Sequence, residues 1–262
     1  MRFSVIFRIV KIHDRTMSLS STGHKIVFDL DLINRYDKTG PRYTSYPTAV
    51  QFTEDYGASD YRKWAEESNN DPLPAPLSLY LHIPFCNTIC YYCACNKIVT
   101  RDYSKAKAYV QLLKQEIKLQ AELFDRDRPV LQMHWGGGTP SYLHDDDIKV
   151  LLDCIHQNFN LASDDAGEFA IEVDPRTVDG ARVHALRELG FNRISFGVQD
   201  FNPDVQDAIN RVNSKEQILS VIDATTDPRL QTINNDHNNT MPKQTHATIA
   251  HTNNTTIQNT PH

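Results

Sequence analysis

The sequence predicts an α/β fold, a partial (β/α) barrel that is incomplete at its C-terminal side. Over residues 77–224, strand-like segments alternate with helix-length amphipathic segments, the order expected of a parallel sheet with right-handed crossovers. Each strand-like segment also has one apolar face and one polar or small face, whereas parallel strands covered on both sides are almost continuously apolar. A curved sheet with helices outside and a polar lumen accounts for both observations. An open sheet with one wet face is the alternative.

Four segments carry the two-residue alternation of strands, at residues 77–83, 130–135, 169–173 and 193–199. In the third, Phe169, Ile171 and Val173 form the apolar face, and Glu172 lies on the polar face. Folds of this kind place their functional groups at the C-terminal ends of the strands. We therefore expect functional side chains on the lumen face near those ends.

The segments between the strands have the periodicity of amphipathic helices. Helices are predicted over residues 104–124, 145–159 and about 179–189, with Asp145 as the N-cap of the second and Gly190 just beyond the end of the third. A fourth helix is predicted to begin at Ser214, which can form a capping box with Gln217 ahead of an apolar run.

Composition divides the chain into an N-terminal arm with a substrate-side loop (1–76), the partial barrel (77–224) and a polar tail (225–262). No Phe, Trp or Tyr follows Phe201, and the tail is rich in Thr, Asn and His. Such a tail cannot bury enough apolar area to offset chain entropy, so we expect it to be disordered. In residues 1–16, charges interrupt the apolar stretch and argue against a signal peptide, and Met17 is an alternative first residue.

Composition also excludes several classes of function. No run of 18 apolar residues exists, which argues against a membrane-spanning helix. The net charge of −6 leaves no basic excess to neutralise phosphates, so we expect no nucleic-acid partner. Five cysteines are too few for a disulfide scaffold in a chain of 262 residues. We expect a cytoplasmic, monomeric protein.

Four of the five cysteines form the pattern Cys86-x3-Cys90-x2-Cys93-x-Cys95, directly after the first predicted strand. Thiolates this close in one loop converge on a soft metal centre, and iron–sulfur clusters are held in this way. Structural zinc favours two separated cysteine pairs, and disulfides are disfavoured in the cytosol. The tight Cys-x-Cys end suggests three ligands to a cluster, with Cys95 left over. The fifth cysteine, Cys154, lies on an apolar helical stripe and is interpreted as a plain buried thiol.

The wider sequence around these cysteines resembles the radical S-adenosylmethionine enzymes, and within them the oxygen-independent coproporphyrinogen III oxidase family. Five motifs carry the resemblance in order: GPRYTSYPT (40–48), LYLHIPFCNTICYYCACNKIVTR (79–101), HWGGGTP (134–140), IEVDPR (171–176) and GFNRISFGVQDF (190–201). The similarity extends over residues 28 to 224. The fourth cysteine, Cys95, distinguishes this family from related haem-chaperone-like radical enzymes.

This resemblance implies a chemistry and two cofactors. Cys86, Cys90 and Cys93 would hold a 4Fe-4S cluster whose fourth iron binds S-adenosylmethionine. Electron transfer would release a 5′-deoxyadenosyl radical that abstracts hydrogen from a propionate of coproporphyrinogen III. Two oxidative decarboxylations would then give protoporphyrinogen IX in haem biosynthesis. The partners implied are coproporphyrinogen III and an unidentified low-potential electron donor. The alternative is a non-catalytic iron–sulfur or haem-binding chaperone-like relative.

The resemblance also implies roles for further residues. Those expected to bind the cofactor are Tyr80, Tyr92, Gly137, Gly138, Thr139, Glu172, Gln199, Arg211 and Asp236. Catalytic roles near the cluster are implied for His82 and Cys95, and substrate contacts for Tyr43 and Tyr46. Simpler interpretations remain open for some of them: the glycines could form only a strand-exit turn, and Arg211 could be a solvated helix charge.

After Ala224 the sequence departs from the family pattern. Asp236 and residues 241–245 align with it, but the apolar residues and the glycine expected around Asp236 are missing. The family's sixth barrel strand and C-terminal domain are therefore expected to be absent, as in a truncated or frame-disrupted copy. An unclosed barrel exposes a strand edge and the lumen, which predicts low stability, loss of the cluster to oxygen and impaired activity of this chain.

Overall fold

A computed structural model describes residues 7–11, 35, 51–163, 166–225, 230 and 232–236; for 7–11 and 232–236 only the backbone is described. The strands are β1 Phe7–Lys11, β2 Leu77–Ile83, β3 Phe85–Cys86, β4 Ile98–Val99, β5 Pro129–Gly137, β6 Asn160–Leu161, β7 Glu168–Val173, β8 Arg193–Gly197 and β9 Thr232–Asp236. The helices are α1 Ala58–Glu67, α2 Tyr103–Ala121, α3 Asp145–Asn158, α4 Gly180–Glu188, α5 Pro203–Ala208 and α6 Lys215–Ala224, and a 3-10 turn spans Pro140–Tyr142.

The main sheet has the strand order β1-β2-β5-β7-β8-β9, with β6 paired to the start of β5. From β2 to β9 each long strand lies parallel to the next, and the register aligns Leu81 with Trp135, Trp135 with Ile171 and Ile171 with Ile194. Each further long strand is added beside the previous one, and helices connect β2 to β5, β5 to β7, β7 to β8 and β8 to β9, which is how a (β/α) barrel grows. The C-terminal ends of β2, β5, β7 and β8 consequently meet at one edge. The predicted α/β fold with a partial barrel is confirmed.

The apolar face of the sheet packs against the helices. Leu81, Trp135, Ile171 and Ile194 are buried in the same cluster as the inward residues of α2, α3, α4 and α6. On the opposite face, Tyr80, His134 and Glu172 are only partly buried. The predicted alternation is therefore the alternation between helix-covered core and lumen.

Most helix ends agree with the sequence signals, and one does not. Ser214 and Gln217 form the predicted capping box, and Gly190 adopts a positive φ of 109° after α4. Asp145 is not the N-cap of α3: His144 holds that position without a side-chain capping bond, and Asp145 is the first helical residue. The Asp145 carboxylate instead accepts a hydrogen bond from Arg182 Nε at 3.2 Å, a tertiary contact that competes with capping.

Five of the described strands were not predicted: the two-residue strands β3, β4 and β6, and the longer strands β1 and β9. Within the tail expected to be disordered, Thr232–Asp236 forms β9 and pairs with β8 from Arg193 to Gly197. Pairing at a sheet edge satisfies backbone groups and does not require the missing apolar side chains, so the polar composition misled the prediction. In the arm, Phe7–Lys11 forms β1, antiparallel to β2. Tyr43 and Tyr46 lie outside the described residues, as does most of the tail, and the three domain boundaries remain a prediction. Among the helices described, none combines the length and apolarity needed to cross a membrane.

The start of β7 is fixed to the start of β8 by Asn192, which is fully buried. Its Oδ1 accepts from Phe169 N at 2.7 Å and its Nδ2 donates to Gly167 O at 2.7 Å. We predict that Asn192→Ala lowers the free energy of unfolding by about 2 kcal/mol, because two buried backbone groups lose their partners. Urea denaturation measures this. Asn160→Ala, which removes an exposed amide bonded to Asp127 O, is the control and should change stability by less than about 0.5 kcal/mol; equal losses in both variants would contradict the prediction.

Candidate functional site

One cavity of about 190 Å³ lies where the strands end, and it gathers most of the sequence-predicted site residues. These lining residues are Cys86, Tyr92, Cys90, Cys93, Cys95, Gly137, Gly138, Thr139, Glu172, Gln199 and Arg211. Groups from β3, its following loop, β5, β7 and the segment after β8 thus face a common space. Gly197 also lines the cavity and pairs with Asp236, so the backbone of Asp236 lies at the end of the neighbouring strand.

The loop that carries the cysteines is fixed at both ends by backbone hydrogen bonds. The residues on either side of the loop pair with each other. Ile98 N donates to Pro84 O at 2.7 Å and Thr100 N donates to Cys86 O at 3.0 Å, and these bonds create the β3–β4 pair. In the middle of the loop, Tyr91 N donates to Ile209 O at 3.0 Å, next to the end of α5. The loop between β3 and β4 contains no helix or strand of its own. Its position is fixed by hydrogen bonds to the neighbouring elements.

The four thiols of the loop differ in their surroundings. Cys90 is buried, Cys86 and Cys93 are partly buried and Cys95 is exposed, and all four are free thiols. Burial raises the pKa of Cys86, although Thr139, whose Oγ1 lies 3.4 Å from the Cys86 sulfur, opposes that change. Burial, followed by the neighbouring Cys93 sulfur, raises the pKa of Cys95 to about 11. Within the described part of the chain, no three His, Cys, Asp or Glu side chains are placed to hold a single metal ion.

Glycine is required at Gly137, the last residue of β5, and at Gly138, the next residue, because other groups lie very close to both positions. A Cβ at Gly138 would lie 2.6 Å from Pro84 O and 3.0 Å from the Cys86 sulfur. Gly137 has a φ of 118°, and a Cβ there would lie 2.7 Å from the ring of His82. These glycines do more than form a strand-exit turn, because they admit the cysteine loop against the end of β5.

A series of polar side-chain contacts on the lumen face connects Glu172, which lines the cavity, with Tyr80 and His82, which do not. His134 Nε2 lies 3.1 Å from Glu172 Oε1, and the Tyr80 ring stacks on His134 with centroids 5.8 Å apart. Tyr80 OH lies 3.2 Å from His82 Nδ1, and His82 Nε2 lies 2.9 Å from Asn96 O on the cysteine loop. His134 was not identified from the sequence, although its position on the polar face of β5 was a signal for it.

Charged side chains surround Cys90, the most buried of the four thiols in the loop. Arg176 Nη2 donates to the Cys90 sulfur at 3.5 Å and to Asp174 Oδ2 at 2.7 Å. Arg211 Nη1 donates to the same sulfur at 3.6 Å and to Asp174 Oδ2 at 3.3 Å. Only 11% of the Arg211 side chain is exposed, so its alternative interpretation as a solvated helix charge is wrong. The two guanidinium groups outweigh burial and hold the pKa of Asp174 below its ordinary value.

Gln199 lines the cavity and has an unusual backbone conformation. Its φ of 62° is in the left-handed region, which is uncommon for a residue other than glycine and costs on the order of 1 kcal/mol. Gln199 lies two residues after β8, so this conformation turns the chain near the end of the strand, where Gln199 lines the cavity.

Comparison with known proteins identifies the family. The family described as "Radical SAM superfamily" matches residues 80–252. This chain belongs to the radical SAM superfamily. The match includes the cysteine loop, the glycines after β5, Glu172, Gln199 and Arg211, and so it covers the whole cavity.

Curated relatives of high similarity are named oxygen-independent coproporphyrinogen III oxidase. The protein from Pseudomonas aeruginosa is 45% identical over 227 residues, which is 87% of this chain and 49% of that protein. The protein from Escherichia coli K12 is 44% identical over 228 residues, 87% of this chain and 48% of that protein. A solved structure, coproporphyrinogen III oxidase (HemN) from Escherichia coli, matches with a TM-score of 0.78 and 42% identity over 90% of this chain and 51% of that one. The chain spans about half the length of the relatives it matches.

The residues of the cavity fit the two groups that the superfamily uses, a 4Fe-4S cluster and S-adenosylmethionine. Cys86, Cys90 and Cys93 present sulfur, the ligand that iron–sulfur clusters take, to one cavity. Arg211 Nε is buried without a hydrogen-bond partner, and a carboxylate in the cavity would supply one. The Glu172 carboxylate offers an acceptor for an amine or for hydroxyl groups.

The contact at Gly138 generates a prediction. Because Pro84 O is a backbone atom and cannot rotate away, we expect Gly138→Ala to displace the cysteine loop and to lower the free energy of unfolding by about 1–3 kcal/mol. Iron bound per chain after anaerobic reconstitution should fall with it. Gly180→Ala is the matched control, since a Cβ there has its nearest neighbour at 3.4 Å, an ordinary contact, and it should keep both stability and iron. Undiminished iron binding in Gly138→Ala would show that the close approach is not needed.

Proposed function

We propose that this chain carries the barrel of an oxygen-independent coproporphyrinogen III oxidase, which oxidatively decarboxylates propionate side chains of coproporphyrinogen III to yield protoporphyrinogen IX in haem biosynthesis. One observation carries the proposal: three cysteines, the glycines after β5, Glu172 and Arg211 line a single cavity at the strand ends. The 45% identity with relatives of that name supports the choice of substrate.

The cluster and S-adenosylmethionine, when bound, supply one-electron chemistry that can remove a hydrogen atom from an unactivated C–H bond. The chain's own residues bind and orient these groups. Cys86, Cys90 and Cys93 would hold the cluster, and Arg211 would pair with the carboxylate of S-adenosylmethionine through its unpartnered Nε. Glu172, oriented by His134, would accept hydrogen bonds from the amine or the ribose hydroxyls.

The glycines and Gln199 would complete the binding of S-adenosylmethionine. Gly137 and Thr139 line the cavity at the end of β5, and Gln199 lines it just after β8. Without a side chain at Gly137 and Gly138, a ligand can approach the backbone closely. Tyr92 contributes an apolar ring that packs on Val205 and Ile209, and its burial raises the pKa of its hydroxyl, so the ring stays neutral.

Roles for Tyr80, His82, Cys95, Asp236, Tyr43 and Tyr46 are further parts of this proposal. Tyr80 and His82 would act from behind the cavity lining, through His134 and Asn96. Cys95, exposed at the rim of the cavity, would remain outside the cluster. We also infer a monomeric, cytoplasmic protein that receives electrons from a low-potential donor. The net charge of −6 supports the further inference that it binds no nucleic acid.

Replacing the cysteines one at a time tests the cluster assignment. After anaerobic reconstitution with iron and sulfide we expect about four iron atoms per chain and a brown protein. Cys86→Ala, Cys90→Ala and Cys93→Ala should each lose most of this iron, whereas Cys95→Ala should keep it. Cys154→Ala, at a buried thiol on α3 outside the cavity, is the matched control and should also keep it. Stoichiometric zinc in a colourless chain, or equal iron loss in Cys95→Ala, would contradict the assignment.

The reaction is tested with the reconstituted chain, S-adenosylmethionine, dithionite and coproporphyrinogen III. We expect 5′-deoxyadenosine by chromatography and protoporphyrin fluorescence after oxidation of the product, both lost in Arg211→Gln by at least about tenfold, since one charge-assisted hydrogen bond is worth about 1.5–3 kcal/mol. Release of 5′-deoxyadenosine without decarboxylation would indicate a radical enzyme with another substrate. Bound haem with no 5′-deoxyadenosine would favour the non-catalytic chaperone-like alternative.

A further inference from the structure

Arg176 is a buried cation that the proposed binding of S-adenosylmethionine does not use. It lies in the turn after β7, where its backbone N and its guanidinium both donate to the Asp174 carboxylate. Only 21% of the Arg176 side chain and 7% of the Asp174 side chain are exposed. The turn itself is fixed, because Asp174 N donates to Ser141 Oγ and Thr177 N donates to Asp174 O.

This turn directs Arg176 toward the Cys90 sulfur. The same Nη2 that bonds Asp174 at 2.7 Å lies 3.5 Å from Cys90 Sγ, and Arg211 reaches that sulfur from another side at 3.6 Å. The two guanidinium groups and one carboxylate leave one net positive charge beside the sulfur. Because the group is buried, this charge is screened less than it would be at the surface.

Among the three cysteines proposed to hold the cluster, Cys90 is the one given guanidinium contacts. Among the described residues, the side-chain hydrogen-bond partner of the Cys86 sulfur is the neutral Thr139 hydroxyl at 3.4 Å, and Lys97 bonds the backbone oxygen of Cys93 rather than its sulfur. Hydrogen bonds to cluster sulfurs and the net charge around them are among the factors that set the reduction potential of iron–sulfur proteins.

We propose that Arg176 is a positioning residue that, held by Asp174, donates a hydrogen bond to the Cys90 sulfur and raises the reduction potential of the cluster. Adding an electron to the cluster increases its negative charge, and a nearby cation stabilises the reduced form more than the oxidised form. Asp174 opposes this effect by its charge while it fixes the direction of the guanidinium. The inference rests on the proposed cluster ligands but not on the identity of the substrate.

The test is a dithionite titration of the reconstituted full chain under argon, followed by electron paramagnetic resonance of the reduced cluster. Arg176→Gln should lower the equilibrium constant for one-electron reduction about tenfold, which is a shift of about 59 mV to more negative potential. Asp174→Asn removes the opposing charge and should shift the potential in the positive direction. Arg176→Lys keeps the charge and should shift it less than Arg176→Gln.

Arg182→Gln is the matched control. Arg182 has the same 21% side-chain exposure and also pairs with an aspartate, Asp145, but the described contacts of its guanidinium do not include a cysteine. Its loss should leave the potential unchanged.

Three results would overturn the inference. These are an unchanged potential in Arg176→Gln, shifts of the same sign in Arg176→Gln and Asp174→Asn, or an equal shift in Arg182→Gln. If Arg176→Gln fails to fold or to hold a cluster, the positive shift expected of Asp174→Asn and the smaller negative shift expected of Arg176→Lys, both measured against the chain without substitutions, decide the matter. An unchanged chain that binds no cluster contradicts the proposed function and this inference together, whereas a cluster with an unmoved potential contradicts the inference alone.

Discussion

The site depends on how closely the backbone after β5 approaches the backbone after β2. Gly138 N donates to Ile83 O at 2.9 Å, and the space a Cβ would need at Gly138 is already occupied by Pro84 O. This contact extends the pairing of two parallel strands by one further hydrogen bond. It thereby joins the glycine turn to the start of the cysteine loop, and the relative position of Cys86 and Thr139 follows from it.

The buried charged groups at the cavity, Asp174, Arg176 and Arg211, stabilise one another. A carboxylate as buried as Asp174 would be costly alone, and so would either guanidinium. Together they satisfy one another, and Arg211 also donates to Gly197 O at the end of β8. The loop after β7, the end of β8 and the cysteine loop are therefore coupled through side chains, although no strand pairing connects all three.

The sequence predicts local features well and distant contacts poorly. The alternation in β2, β5, β7 and β8 and the capping box at Ser214 depend on neighbours within a few residues, and both were confirmed. The predicted N-cap of α3 was wrong because Asp145 bonds Arg182, which is 37 residues away. Arg176 and Cys90 are 86 residues apart, so only the fold brings them together, and spacing within one motif could not reveal the contact. β9 was missed because edge pairing depends on an available partner strand and not on its own composition.

Motif resemblance reached the site residues that spacing could not, but it did so without explaining them. Gln199 illustrates the difference. The resemblance assigns it to the cofactor, and the structure adds that it has a left-handed backbone at the end of β8. Such a conformation is maintained only where the surroundings determine it, and here Asp200 N donates to Val198 O across the turn while Gln206 donates to Asp200 O. A buried turn thus compensates for the strain in Gln199, and the same turn leads to α5, whose end fixes the cysteine loop through Ile209. The packed segment from Gln199 to Ile209 therefore both maintains the strained backbone of Gln199 and fixes the cysteine loop at Tyr91.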